Sequence, residues 1–581
     1  MRRLVLLAAV SLVLGLPASA AASSADDRFT ALYTREWNWR MQQYAEHPEA
    51  NAPIENRLPC ASAACEAARL AYWQQVMKAL DAMPYAQLSP KNQVDYDVYK
   101  PQIRDLIEDE EFRDYEMPAN SDTTFWSNFN DTARSPFRSE QDYENWIAQM
   151  RDIPRFFAEE EAVMKAGLAR GFTPPQVTLE GHDSTITAVT KPKPEDTLFY
   201  TPFKSMLSTV PAADQAKLRA EAVDAIKTQV QPAYAKLLIF WDKVYVPGAR
   251  KALAAYDLPN GKAYYQQKIR EFTTLDMTPA QIHDLGLQEV AKLHARMIAV
   301  MKSTGWKGDF PSFLHYLRTD PKFYAKTPLE LLKDAAWIAK EFDGKASQYF
   351  GHLPRARFAI KPVPPEMAPY YTSGRGGPGV FLLNTYDLPQ RPLYNLIALT
   401  LHESAPGHAF QIPLAMEDKS LPDFRRYTYI SAYGEGWAVY CEWLGNEMGM
   451  YQTPYDKFGQ LGWQIWRAAR LVVDTGIHAQ GWTRQQAIDY LLANTTLPEH
   501  EAETEVDRYI GWPGQALSYY IGAMAIRQDR EKAEKALGPK FNIRAFHDAV
   551  LALGSVPLPV LNKHMDEFIA GGGIGPYPDE E

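Results

Sequence analysis

The segment that decides the fold runs from Val380 to Gln411 and reads VFLLNTYDLPQRPLYNLIALTLHESAPGHAFQ. It begins with Val380–Asn384, an apolar run that predicts a short strand. After Pro392 apolar residues recur at the spacings of a helix, and this pattern continues almost to the end of the chain. The segment therefore predicts a mainly α protein in which a small β-sheet lies beside a helix that carries several polar residues.

Helical patterns also precede this segment. Apolar residues recur at spacings of three and four over Asp26–Tyr44, Ala61–Met83, Pro90–Glu108, Glu140–Leu168, Ala212–Tyr256 and Pro279–Met301. Arg357–Ile360 is a second strand candidate. The glycine-rich residues 374–379 are interpreted as a turn or a mobile flap, because they lack the strand–helix context of a phosphate-binding loop.

Composition sets the broad class of the protein. The 581 residues are 46% hydrophobic and 23% charged, which excludes wholesale disorder, and the net charge of −10 argues against a general nucleic-acid binder. Residues 1–20 resemble a secretory signal peptide, with Arg2 and Arg3 before the apolar run Leu4–Leu16 and small residues at Ala18–Ala20. We expect a periplasmic or secreted protein without a membrane anchor, since no cysteine follows this run and no later apolar stretch is long enough to span a bilayer.

The three cysteines leave one question open. Cys60 and Cys65 could form a small-loop disulfide in an oxidising compartment, or they could be two reduced thiols at the start of a helix. Cys441 lies in an apolar helical pattern and is predicted to be a buried core residue.

The densest chemical feature is a glutamate between two histidines. Neutral imidazoles bind zinc, and a neighbouring carboxylate such as Glu403 can take a proton from a metal-bound water. His402 and His408 are six residues apart, so a straight helix would separate them by about 120° around its axis. Pro406 and Gly407 predict a break in the helix that returns His408 toward His402.

A second feature follows in Tyr433–Leu444, within a helix predicted for Phe424–Met448. Glu435 and Glu442 are seven residues apart, so they share one otherwise apolar helix face. A buried carboxylate is costly unless it is paired or bound to a metal. We predict that Glu435, which has a glycine on each side, is the third metal ligand, and that Glu442 orients a ligand histidine. The alternative is a pair of structural histidines at a helix end.

A third feature is a stripe of polar residues at helical spacing. Asp474 lies one turn before His478 and could fix its tautomer, and His478 could then stabilise an oxyanion or bind substrate. A purely structural hydrogen bond is the alternative. Arg467 and Arg470 precede them and are interpreted as solvated or paired with acidic neighbours.

A fourth feature lies in residues 505–520. Arg508 could hold a substrate carboxylate through a bidentate pair. Tyr519 or Tyr520 could polarise a carbonyl group or stabilise the oxyanion that develops from it.

Four ordered motifs carry a family resemblance. They are HESAPGH with Gln411, YGEGWAVYCEWL at 433–444, RLVVDTGIHAQGWTRQQAIDYL at 470–491 and EVDRYIGWPGQALSYYIG at 505–522. With them the sequence resembles the bacterial "domain of unknown function 885" (DUF885) family over most of the mature chain, most strongly from about residue 370 to 530. That family is similar to the gluzincin metallopeptidases, which are mainly helical and use a His-Glu helix, a second histidine and a downstream glutamate.

The resemblance implies specific roles. It assigns zinc (Zn²⁺) ligation to His402, His408 and Glu435 and the role of general base to Glu403, although gluzincins have two fewer residues between the histidines. In such peptidases a strand beside the site holds the substrate backbone. The matching candidate is residues 380–384, and we predict substrate contacts at its two ends, at Gly379 and Asn384.

These observations predict a large helical, metallopeptidase-like architecture. We place a boundary near residue 275, with an N-terminal helical scaffold in residues 21–275 and a catalytic helical region in residues 276–581. The predicted function is that of a zinc-dependent metallopeptidase acting on short peptides. The alternatives are another metal-dependent amide or ester hydrolase, or a non-catalytic binding protein of the same fold. No nucleic-acid or membrane partner is expected, and the oligomeric state and the choice between exo- and endo-cleavage stay open.

Overall fold

The computed structural model describes residues 24–49, 51–365 and 367–577. The predicted signal peptide, residues 1–20, lies outside this part of the chain. The described residues form a mainly helical protein with one small sheet, as the apolar periodicity predicted.

The helices fall into two groups, before and after the sheet. The first group is α1 (Ala25–Tyr44), α2 (Ala63–Asp81), α3 (Pro90–Phe112), α4 (Asn128–Arg134), α5 (Glu140–Arg170), α6 (Asp183–Thr190), α7 (Thr201–Lys204), α8 (Ala212–Ala225), α9 (Gln231–Phe240), α10 (Val246–Gly248), α11 (Gly261–Thr273), α12 (Pro279–Ser303), α13 (Phe310–Thr319), α14 (Pro328–Asp343) and α15 (Ala346–Tyr349). The second group is α16 (Leu393–Glu403), α17 (His408–Glu417), α18 (Asp423–Arg426), α19 (Ser431–Leu444), α20 (Pro454–Gln480), α21 (Arg484–Asn494), α22 (Glu499–Gly511), α23 (Ser518–Leu537), α24 (Ile543–Ala552) and α25 (Leu558–Ala570).

The helix predicted for residues 212–256 is shorter and less regular than its pattern indicated. Two π-helical turns, Ile226–Val230 and Trp241–Tyr245, separate α8, α9 and α10, and the last of these ends at Gly248. Pro232 and Pro247 follow these turns. A proline has no N–H to donate to the helical ladder, which is a common reason for such local widening.

The sheet has three strands, β1 (Ala359–Pro362), β2 (Gly374–Gly377) and β3 (Val380–Leu383). β3 is central, parallel to β1 and antiparallel to β2. The prediction of a strand at 380–384 is confirmed, and the strand predicted at 357–360 lies two residues further on. The interpretation of 374–379 as a turn is wrong for 374–377, because cross-strand pairing with β3 outweighs the weak strand preference of glycine.

The main hydrophobic core includes residues from both sides of the predicted boundary near residue 275. For example, Tyr99 on α3 packs against Phe424 on α18, with 4.8 Å between the ring centroids. A second core is formed by residues between 58 and 249. The packing thus extends across the predicted boundary near residue 275, and the division of the chain into a scaffold and a catalytic region stays a prediction. Within the described chain, none of the helices has the length and apolar character needed to cross a membrane.

The cysteine question is answered by the structure. Cys60 and Cys65 form a disulfide, which links the loop before α2 to the first turn of that helix. Cys441 is buried, as predicted.

Candidate metal centre

The predicted break between the two histidines is present. α16 ends at Glu403 and α17 begins at His408, with a cis peptide bond between Ala405 and Pro406. Gly407 lies so close to the end of α16 that a Cβ atom there would collide with the carbonyl oxygen of His402. The break brings the imidazoles of His402 and His408 together, with 4.9 Å between their ring centroids.

Glu435 reaches both histidines from α19. Its Oε2 atom lies 3.4 Å from Nε2 of His402 and 3.3 Å from Nε2 of His408. α19 is shorter than the helix predicted for residues 424–448, because residues 427–430 leave the helical path after α18. Glu435 still lies in the first turns of α19, where its side chain points toward His402 and His408. We call His402, Glu403, His408 and Glu435 the cluster.

The two glycines beside Glu435 allow close packing around it. A Cβ atom at Gly436 would collide with the backbone of Gly522 on α23, and one at Gly434 would collide with the ring of Tyr429. The absence of side chains at these positions therefore brings α23 and Tyr429 close to the cluster.

The separations between these atoms fit a metal site. Ligands of a tetrahedral zinc at about 2.0–2.1 Å lie about 3.3–3.4 Å from one another. The carboxylate of Glu435 meets this condition with both histidines, and its Oε2 atom is buried without a hydrogen-bond partner among the described residues. His402, Glu403 and His408 also offer ligand atoms within 4.8 Å of one another. Glu435 fits better than Glu403 as a candidate third ligand, because the contact from Glu403 to Nε2 of His402 is longer, at 3.9 Å.

Glu442 orients one of the histidines. Its Oε1 atom lies 2.8 Å from Nδ1 of His402, and the glutamate is fully buried. This contact directs Nε2 at Glu435, and a metal-binding imidazole usually has such a hydrogen-bond partner at its other nitrogen.

The charges around the cluster favour a cation. Burial disfavours the imidazolium of His402, but the carboxylates of Glu403, Glu435 and Glu442 outweigh this effect and raise the pKa of His402 to about 10. Burial likewise works against the ionised form of Glu435, yet His408 and His402 hold the pKa of Glu435 well below its ordinary value. The cluster therefore stabilises positive charge at the place where the three ligand atoms meet.

Glu403 lies beside the three candidate ligands and is held by β2. Its Oε2 atom accepts a hydrogen bond of 2.6 Å from the backbone N–H of Gly376. A Cβ atom at Gly376 would collide with the carbonyl oxygen of Glu403, so β2 lies directly against the end of α16. A carboxylate held in this way next to a metal site is well placed to accept a proton.

The strand beside the site is β2 and not the predicted residues 380–384. β3 is paired on both edges, so it has no free edge for a substrate. Asn384 is fully buried, and its amide donates to the carbonyl oxygens of Ala368, Tyr371 and Thr372. Gly379 lies in the tight turn between β2 and β3, with a φ of 79° that glycine tolerates well. The structure thus places Asn384 in loop support and Gly379 in a hairpin turn.

The structure does not join Asp474 to His478. Nδ1 of His478 accepts a hydrogen bond of 3.1 Å from the backbone of Ala255, and Nε2 donates one of 2.8 Å to the carbonyl of Tyr509. Asp474 instead accepts a bond of 2.5 Å from the hydroxyl of Tyr265. Burial lowers the pKa of His478 to about 3, so this histidine is neutral and fixed between two backbone groups. These contacts agree with the structural alternative.

Tyr519 lies next to the cluster. Its ring is nearly parallel to that of His402, with 6.3 Å between the centroids. Its hydroxyl accepts hydrogen bonds from Nη2 of Arg508 at 3.3 Å and Nε2 of Gln515 at 3.4 Å. Burial opposes the phenolate, and so does the charge of Glu435, but arginines near the ring outweigh both and lower the pKa of Tyr519.

Tyr520 follows Tyr519 in the chain but has a different partner. Its hydroxyl donates a hydrogen bond of 2.8 Å to Glu289 on α12. Of the two tyrosines predicted to stabilise an oxyanion, Tyr519 is the one whose ring stacks on a cluster histidine.

Sequence reasoning missed Tyr429, which lies between α18 and α19. Its ring centroid is 6.2 Å from that of His408, and 43% of the residue is exposed. The prediction of one continuous helix through this position hid it, since a bend there has no distinctive sequence signal.

Two solved structures are similar to this chain. The "putative lipoprotein from Colwellia psychrerythraea" is 26% identical, with a TM-score of 0.89, and the match covers 94% of this chain and 100% of that one. The "putative lipoprotein of unknown function from Shewanella oneidensis" is 18% identical, with a TM-score of 0.67 and the same coverage, and shows the same fold. Among curated proteins none matches the chain.

The family is shown by a match along most of the chain. The sequence profile described as "Bacterial protein of unknown function (DUF885)" matches residues 44–565, which include every residue of the cluster. The chain therefore belongs to the DUF885 family of bacterial proteins.

Proposed function

We propose that this protein is a zinc-dependent peptidase that hydrolyses short peptides outside the cytoplasm. The observation that carries the proposal is the position of Oε2 of Glu435, which lies 3.3–3.4 Å from Nε2 of both histidines and has no hydrogen-bond partner among the described residues. Glu403 stands beside these groups as a candidate base. This combination of ligands and base is typical of zinc hydrolases.

The donor set favours zinc over the alkaline-earth ions. His402, His408 and Glu435 would hold the metal through two nitrogen atoms and one oxygen, whereas calcium and magnesium prefer oxygen ligands alone. Bound there, zinc would lower the pKa of a water molecule and polarise a carbonyl group. With only these three protein ligands, the site would keep one position open for water or substrate.

Glu403 can carry the proton through the reaction. It takes a proton from the attacking water as the water oxygen forms a bond to the peptide carbonyl carbon. It then gives this proton to the amide nitrogen as the C–N bond breaks. The hydrogen bond from Gly376 holds one carboxylate oxygen, Oε2, while the other lies toward His402.

Two further elements support the reacting groups. Tyr519 can donate a hydrogen bond to the carbonyl oxygen as it gains negative charge. β2 is an edge strand next to Glu403, and edge strands bind extended peptides by adding a strand.

Burial of the site limits the size of the substrate. His402 is 2% exposed, His408 6% and Glu403 8%, so the surface of a folded protein cannot reach them. Burial of this degree favours a short, extended peptide as the substrate. The names of the two similar structures describe lipoproteins, which supports a location outside the cytoplasm.

Replacement of the base tests the proposal. Glu403→Gln should bind zinc with the stoichiometry of the wild type and lose peptide hydrolysis by about 10²–10⁴-fold, because the amide cannot accept the proton. A substrate panel of short peptides, lactams and esters should show turnover of the peptides. If only lactams or esters are hydrolysed, the enzyme is another amide or ester hydrolase, and if nothing is hydrolysed by the zinc-loaded protein, the catalytic proposal is wrong.

A further inference from the structure

Three arginines converge on the ring of Tyr519. Arg467 and Arg470 lie on α20, with their guanidinium carbons 4.9 Å and 4.3 Å from the centroid of that ring. Arg508 lies on α22 and donates to the Tyr519 hydroxyl at 3.3 Å. We call Arg467, Arg470 and Arg508 the arginine pocket.

Arg467 is buried without a close anionic partner. It is 3% exposed, and its Nε atom has no hydrogen-bond partner among the described residues. Its ion pair with Glu442 is long, at 3.7 Å, and the same Glu442 oxygen already lies 2.8 Å from His402. The guanidinium lies instead over Trp463 and Trp466, at 4.7 Å and 4.3 Å from the ring centroids. Burial of an arginine in this way is costly unless an anion joins it.

The other two arginines also have unused donors. Arg470 donates to Glu505 at 3.1 Å, but its Nη1 atom is buried without a partner in the described chain. Nη1 of Arg508 lies 3.6 Å from the same Glu505, and its Nε atom, 3.8 Å from Asp122, makes no hydrogen bond within the described residues. Arg470 and Arg508 therefore share Glu505, and Arg467 has only its long pair with Glu442. The pocket has both the charge and the free donors to bind an anion.

The pocket lies next to the candidate metal centre. Glu442 contacts both His402 and Arg467, and the ring of Tyr519 stacks on His402 on one side and contacts the arginines. An anion bound by the arginines would thus lie near the candidate metal ligands, with Glu442 and Tyr519 as the residues that contact both groups. The planar fork of arginine matches the two oxygens of a carboxylate.

We infer that the enzyme is a C-terminal exopeptidase, in which the arginine pocket binds the terminal carboxylate of the peptide and thereby selects the last peptide bond for hydrolysis. This inference rests on the proposed peptidase function. An internal residue or an amidated C-terminus would leave the arginines without an anion, so the same site would discriminate against endo-cleavage.

The first test compares two substrates that differ in one group. An N-acetylated tripeptide with a free C-terminus and its C-terminal amide are offered to the zinc-loaded wild-type enzyme. We expect kcat/KM to be at least about 100-fold higher for the free acid, with release of a single C-terminal residue. Equal hydrolysis of the two peptides would overturn the inference and leave the peptidase function intact, whereas hydrolysis of neither would overturn both.

The second test measures binding without turnover. In the Glu403→Gln background, isothermal titration should show that Arg467→Met weakens binding of the free acid by about 10- to 100-fold and leaves the weak binding of the amide unchanged. Arg484→Gln is the matched control, because Arg484 pairs with Asp507 outside the pocket and should change neither affinity. Equal weakening of acid and amide by Arg467→Met, with the variant still folded, would assign Arg467 a structural role and contradict the inference.

Discussion

Glu442→Gln should weaken zinc binding while leaving every direct ligand in place. The buried carboxylate lies 2.8 Å from Nδ1 of His402 and fixes the imidazole so that Nε2 is directed at Glu435. The amide oxygen of glutamine can still accept this hydrogen bond but lacks the negative charge. Loss of such a partner of a ligand histidine typically costs 10- to 100-fold in affinity, or about 1.4–2.7 kcal/mol. A hydrogen bond to a charged group is worth a similar amount, about 1.5–3 kcal/mol.

The assay is a competitive zinc titration at pH 7 with a chromophoric chelator. Glu447→Gln is the control, because Glu447 lies just beyond the same helix, is 38% exposed and pairs with Arg530 outside the cluster. We expect wild-type zinc affinity for Glu447→Gln and a dissociation constant that is 10- to 100-fold higher for Glu442→Gln. If Glu442→Gln is folded and binds zinc as tightly as the wild type, Glu442 does not orient a metal ligand.

Three further predictions concern packing and charge. Arg467→Met should change the free energy of unfolding, measured with urea, by less than about 1 kcal/mol. Arg425 is equally buried but forms an ion pair of 2.6 Å with Asp95, so Arg425→Met should lower the free energy of unfolding by about 3–5 kcal/mol. Gly376→Ala should abolish peptide hydrolysis because the methyl group meets the end of α16, whereas Gly377→Ala, with no atom within 4 Å of the added Cβ, should leave activity unchanged. Burial raises the pKa of Glu160 to about 8, so the folded protein retains a proton that the unfolded chain loses above about pH 4.5. The free energy of unfolding, measured by urea unfolding at several pH values, should therefore fall as the pH rises from about 4.5 to about 8. The slope should reach up to ~1.4 kcal/mol per pH unit, and Glu160→Gln should make this dependence less steep.

Each of these predictions has a contradicting outcome. Equal destabilisation by the two arginine replacements would mean that Arg467 is satisfied in the folded state. Similar activities of the two alanine variants would mean that β2 does not press on Glu403. A pH dependence of unfolding that is the same in wild type and Glu160→Gln would mean that Glu160 titrates normally.

The parts of the site that local chemistry determines could be predicted from the sequence. The adjacent Pro406 and Gly407 favour a break in the helix between the histidines, since proline cannot donate to the helical ladder and glycine allows the unusual backbone path. The seven-residue spacing of Glu435 and Glu442 places them on one face of α19 whatever surrounds it. These local rules were enough to identify the two histidines and Glu435 as candidates for one cluster.

The parts that depend on distant chain segments could not be predicted. Spacing placed Asp474 and His478 on one stripe of α20, but their hydrogen bonds go to Tyr265 on α11 and to backbone groups of Ala255 and Tyr509. Likewise the composition of residues 374–377 resembles that of a turn, and only their pairing with β3 makes them a strand. In both cases tertiary contacts decided between local alternatives of similar energy.

The environment of Arg467 also depends on distant chain segments. Arg467 has one ion pair, to Glu442 at 3.7 Å, but it is buried among aromatic rings, and its Nε atom has no hydrogen-bond partner in the described chain. The sequence around Arg467 does not show whether its guanidinium is solvated or buried, because Trp463 and Trp466, which cover it, could equally have packed against apolar residues of the core.

The proposed function depends on one divalent ion shared by two imidazoles and a remote glutamate. The most direct measurement is an anomalous difference map, recorded at the zinc absorption edge from crystals of protein purified with zinc. We predict one strong peak within about 2.0–2.2 Å of Nε2 of His402, Nε2 of His408 and a carboxylate oxygen of Glu435. A map with no peak at this position, from protein whose three side chains are ordered, would contradict the account.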